Sequence, residues 1–114
     1  MNHANLELEL SELPSKIRDA QQQHIEAIKE QKEAKLEYDV ALAQALVSAN
    51  KPNATEKKSE AIIETRPQMR KVIEAEYAEK MKEAELNYLK DRFNAIRKIA
   101  SIEIELIKTQ LGGS

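Results

Sequence analysis

The chain has 114 residues, a third of them charged, with two glycines, three prolines, one Phe, no Trp and no cysteine. Its 18 basic and 20 acidic side chains leave a net charge of −2. That excludes disulfide and thiolate chemistry, gives no global charge for nucleic-acid binding, and leaves too few large side chains for a thick three-layer core. Ala, Glu, Lys, Leu, Ile and Gln dominate, the set with the highest helix propensity.

In chain order, residues 1–13 read as a partly ordered arm. The start MNHANLELELSE lacks the basic beginning of a signal peptide. The LELEL alternation also fits a short strand, but Leu6, Leu10 and Leu13 stay in helical phase with Ile17. Pro14 cannot donate to a helical ladder, so the first helix is expected over 14–50, with Ser11 as a candidate cap. Its seam is Leu6, Leu10, Leu13, Ile17, Ala20, His24, Ala27, Gln31, Ala34, Tyr38, Ala41 and Ala45, at intervals of four and three. An alanine-rich seam removes little apolar area from water, at about 25 cal/mol per Å², so such a helix needs more than one neighbour.

Pro52 disfavours helical geometry at Lys51, and Asn53 stands three residues before Glu56 at capping-box spacing. Residues 51–53 are therefore the corner of a hairpin, because so short a connection joins antiparallel neighbours. A second helix is expected over 54–111. Pro67 costs roughly 3 kcal/mol in a straight helix, which predicts a kink near 64–67.

Beyond the kink two apolar stripes are readable. One runs Met69, Val72, Tyr77, Met81, Ala84, Tyr88, Ala95, Ile99, Ile102, Leu106, and the other Leu89, Phe93, Ile96, Ala100, Ile104, Ile107, Leu111. With equal rise in both arms, Pro14 falls opposite roughly residue 90, so residues 91–111 overhang a first helix that starts there. Either residues 1–13 or a second subunit covers the overhang. The expected oligomer interface is Leu89, Phe93, Ile96, Ile99, Ile102 and Leu106. Residues 112–114, Gly-Gly-Ser, read as a flexible end.

Catalytic and metal-binding motifs are missing from the sequence. His3 lies in the arm and His24 in the seam, where a polar residue fixes register; no Glu-x-x-His pair is written. No glycine-rich phosphate loop or Ser/His/Asp arrangement occurs. Glu26, Glu30, Glu33 and Glu37 interleave with Lys29, Lys32 and Lys35 as a solvated helix face. The expectation is a non-enzyme without cofactor or catalytic or metal residues. Asn53-Ala54-Thr55 matches a glycosylation sequon but has no secretory context. No apolar run reaches the roughly 18–20 residues that span a bilayer, and a cytoplasmic location is expected.

Two basic groupings stand out. Residues 51–70 carry five basic and three acidic side chains. With Lys71 they make Lys51, Lys57, Lys58, Arg66, Arg70 and Lys71 the candidate contact for nucleic acid or a partner, although a solvated, charged hairpin tip is the favoured reading. No aromatic residue accompanies them for base stacking. The other group, Lys90, Arg92, Arg97 and Lys98, borders an apolar ridge; such a helix can lie on a membrane or in a partner's groove, but the favoured reading is snorkelling side chains that cover an oligomer core.

The pairing of KPNATEKKSEAIIE with DRFNAIRKIASIEIE, across residues 45–105, resembles small helical-hairpin bacteriophage proteins of Gram-positive hosts, encoded in early regions near recombination and single-strand annealing genes. The resemblance implies an accessory or inhibitory role in DNA metabolism or in evading host defence, and it carries no catalytic residues. Together these readings predict an all-α, coiled-coil-like antiparallel hairpin that assembles into a dimer or higher bundle. Its partners would be a second copy or another protein, with nucleic acid as the alternative.

Overall fold

The computed structural model describes residues 3–112, and side chains from Asn5 onward. The fold is all-α. Helix α1 spans His3–Ser48, α2 Ala54–Glu64 and α3 Arg66–Gly112. Gly112 closes α3, and the remainder of the expected flexible end lies outside the described residues. The chain divides into two compact units, Met1–Gln23 with Glu83–Ser114, and His24–Lys82.

The first unit pairs the start of α1 with the last half of α3. Here the expected beginning of the first helix at Pro14 is corrected, since α1 is continuous from His3 and Pro14 lies inside it. Pro14 still lacks its N–H, but Leu6 and Leu13 are 3% and 4% exposed and pack with fully buried Ile96. Burying three such side chains is worth roughly 1.5–3 kcal/mol each, which offsets the cost of a proline in a helix. Ser11 does not cap a helix start. Its hydroxyl donates to the Leu8 carbonyl at 2.8 Å, within the same turn.

The second unit is a closed hairpin. Residues 49–53 join α1 to α2, and Asn53, in extended backbone, is the N-cap. Its Oδ1 accepts from the Glu56 N–H at 2.8 Å, while its carbonyl accepts from Lys57 N–H. That satisfies one of the donors that every helix start leaves open. Thr65 separates α2 from α3 two residues before Pro67, which has no N–H to give to Ile63. Thr65 is buried and its hydroxyl donates to the Ala61 carbonyl at 2.7 Å.

All twelve seam positions of α1, Leu6 through Ala45, are buried or half-buried. The seam of α2 and α3 is not the stripe that looks most apolar. In the second unit it runs Ala61, Thr65, Gln68, Val72, Ala75, Glu79, Lys82, and in the first unit Leu86, Leu89, Phe93, Ile96, Ala100, Glu103. Intervals of four and three alternate throughout, as a two-stranded packing demands. Of the stripe that begins at Met69, only Val72 is buried, and the rest of it faces outward.

Candidate interaction surfaces

The expected oligomer interface divides in two. Leu89, Phe93 and Ile96 pack on Leu6, Leu10 and Leu13 of their own chain. They belong to the core of the first unit, which corrects their assignment to an intermolecular face. Ile99, Ile102 and Leu106 are 37%, 52% and 58% exposed. They lie on the outward stripe, about a third of a turn from the seam. Beyond Glu103 every described residue of α3 is exposed, including Ile104, Ile107 and Leu111.

A shallow groove of about 310 Å³ runs along this end of α3, lined by Lys98, Ser101, Ile102, Glu105, Leu106 and Thr109. Lys98 and Glu105 stand at i and i+7 on one edge of the apolar stripe. Glu105 makes an exposed pair with Lys108 at 3.8 Å, an arrangement of little net stability.

The second basic group is partly committed within the chain. Arg92 forms a two-pronged ion pair with Glu9, which joins α1 to α3 in the first unit. The hydrogen bond from Arg92 holds the Glu9 carboxyl below the usual carboxylate range, and the same bond raises Arg92. Arg97 sits over the Phe93 ring, 5.6 Å from its centroid, so its charge covers a core aromatic. Lys90 and Lys98 remain exposed.

In the second unit the outward stripe of α3 shows Met69, Ile73, Tyr77 and Met81, with Tyr77 at 69% exposure. On α1, Ile25, Leu36, Val40 and Val47 are exposed, and Ile25, Ile28 and Leu36 line a shallow depression with Lys29, Lys32 and Glu33. Both hairpin arms therefore present apolar side chains to the outside.

The corner residues Lys51, Lys57, Lys58, Arg66, Arg70 and Lys71 are all exposed. The neighbouring open groove, about 610 Å³, takes Lys51 but also Glu56, Glu60 and Glu64. Three carboxylates against one ammonium make it a poor cradle for phosphate.

One polar pair was not readable from spacing. His24 Nε2 and Glu79 Oε1 meet at 2.9 Å across the second unit, with side chains 18% and 11% exposed. The seam position of His24 was legible. Its partner was not, because Glu79 lies among acidic residues that look solvated and only the true phase of α3 turns it inward.

No family model, no curated protein and no solved structure matches the chain.

Proposed function

We propose that this chain is a non-catalytic helical interaction protein that works through protein–protein contacts on the outward stripe of α3. The supporting observation is that stripe itself: Met69, Ile73, Tyr77 and Met81 in one unit, Ile99, Ile102 and Leu106 in the other, all exposed. Scattered apolar residues on a surface carry no message, but a row at helical spacing, present within each unit taken by itself, is the mark of a covered face. Tyr and Met are enriched at such faces, being large and adaptable. The resemblance to phage early-region proteins supports, as part of this proposal, an accessory or inhibitory role in DNA metabolism or host-defence evasion in the host cytoplasm.

A photo-crosslinking amino acid placed at Tyr77, and separately at Ile102, tests the reading in cells. The expected product is a discrete covalent adduct, to a second copy or to another protein. Absence of adducts at both positions removes the proposal.

The second reading, a nucleic-acid module at the basic corner, is favoured by the exposure of all six basic residues there. Labelled single- and double-stranded DNA at about 50 mM salt tests it, since phosphate contacts are strongest at low ionic strength. No change in anisotropy eliminates it.

A further inference from the structure

We infer that the groove at the end of α3 takes a second copy of the same helix segment, running antiparallel, with Lys98 of each copy paired to Glu105 of the other. The inference rests on the proposed interaction role and names the partner and its geometry.

The outward residues Ala95, Ile99, Ile102, Leu106 and Thr109 follow one another at intervals of four, three, four and three. That is the core spacing of a two-stranded coiled coil. Ile99 and Leu106 occupy the first core position of the heptad, and Ala95, Ile102 and Thr109 the second. Lys98 and Glu105 precede Ile99 and Leu106, so they flank the core on one edge. Ile96 and Glu103 flank it on the other edge, where Ile96 is fully buried in its own unit and Glu103 is half-buried. Only the Lys98/Glu105 edge is open to a partner helix.

This asymmetry selects the direction. A parallel pair would match Lys98 with the half-buried Glu103 of the other copy. An antiparallel pair matches the open edge with itself. Setting Ile99 against Ile102 of the second copy, and Ala95 against Leu106, brings Lys98 beside Glu105 twice around a two-fold axis near residues 100–101. The alternative antiparallel register, Ile102 against Leu106, would oppose Glu105 to its own copy. Charge complementarity thus picks one register and one direction. Two-fold self-pairing is also the commonest symmetry of soluble oligomers. Glu105 can keep its exposed contact with Lys108 while it accepts Lys98 of the second copy. The four core layers cover only about two heptads, short of a standard interface of about 1,600 Å², so the pair dissociates on dilution.

Sedimentation of the purified full chain over a range of concentrations tests this. The wild type is expected to show a monomer–dimer equilibrium. Lys98→Glu alone and Glu105→Lys alone should each weaken it by at least about tenfold, since like charges then meet twice. An equimolar mixture of the two variants should regain dimer as a heterodimer, and the double variant Lys98→Glu/Glu105→Lys should regain it alone. Both positions are exposed, so circular dichroism should report unchanged helix. The chain lacks cysteine. Ala95→Cys mixed with Leu106→Cys should therefore form a single interchain disulfide, and Ala95→Cys by itself none. A wild-type chain that stays monomeric, a mixture without rescue, or efficient crosslinking of Ala95→Cys alone each overturns the inference. If adducts from Tyr77 persist in any of those cases, the general interaction role stands and only the self-pairing falls.

Discussion

Glu9 accepts both prongs of Arg92: Nε donates to one carboxylate oxygen at 2.9 Å and Nη2 to the other at 3.0 Å, between residues 83 positions apart in sequence. The pair links the start of α1 to the second half of α3. Because the Arg92 hydrogen bond lowers the Glu9 pKa, its contribution is present above the ordinary carboxylate value and is lost as pH falls through the lowered, folded-state value. Urea melts of the wild type should therefore lose stability on the acid side that Glu9→Gln does not lose. Parallel pH profiles for the two proteins would remove the pair from the account of this unit.

The core of the first unit predicts a contrast between two positions six residues apart. Ile96 is fully buried against Leu6 and Leu13, so Ile96→Ala should cost about 2–4 kcal/mol, toward the lower end because the pair of helices is thin. Phe93→Asp should be worse, placing a carboxylate in the same cluster. Ile102→Asp should leave thermal stability at low concentration unchanged while abolishing self-association. Equal melting losses at 96 and 102 would mean that the two faces are not distinct.

His24 and Glu79 predict strong non-additivity. His24→Leu leaves a carboxylate that is 11% exposed without its imidazole, at a cost of about 1–3 kcal/mol. Glu79→Leu should cost a similar amount. The double variant, with two leucines facing each other in the seam, should recover most of the loss or exceed the wild type. Simple addition of the two single losses in denaturant melts would show that the pair does not interact.

The hairpin corner depends on its cap. Asn53→Ala removes the acceptor of the Glu56 N–H and should cost about 1 kcal/mol, with Asn53→Asp or Asn53→Ser close to neutral. Loss confined to amide exchange in the first turn of α2 would locate the effect. An unchanged melt for Asn53→Ala would show the cap to be dispensable.

Pro14 predicts a gain. It sits inside α1 where no N–H is available for the Leu10 carbonyl, so Pro14→Ala should raise stability by up to about 3 kcal/mol. A loss instead would show that a bend at Pro14 is needed to seat Leu6 and Leu13 on Ile96.

The candidate surfaces were only half legible before the fold was known. Ile99, Ile102 and Leu106 read as apolar residues in need of cover, and they are exposed on the outer stripe. Leu89, Phe93 and Ile96 read the same way, yet their cover comes from the first turns of α1. Nothing in residues 89–96 distinguishes the two cases. The difference lies in whether the helix crosses Pro14, which depends on contacts far along the chain.

Sequence alone determined that the chain is all-α, that the nine seam positions from Ile17 to Ala45 face inward, that Asn53 starts a helix after a corner, and that the helical run is interrupted beside Pro67. Each of these is local. Propensity, heptad spacing, cap chemistry and a missing N–H act within a few residues of their cause. Tertiary structure alone decided which face of α3 is the inside. Thr65, Gln68, Glu79 and Lys82 occupy its seam while Tyr77, Met81 and Tyr88 look outward. A nearly buried carboxylate is held in a seam by a partner on the opposite helix, as His24 does for Glu79. That partner is set by register across the hairpin, not by neighbours in the chain. For the same reason Leu6 and Leu13, by finding Ile96, carry α1 back through a proline that local rules would have made its first turn.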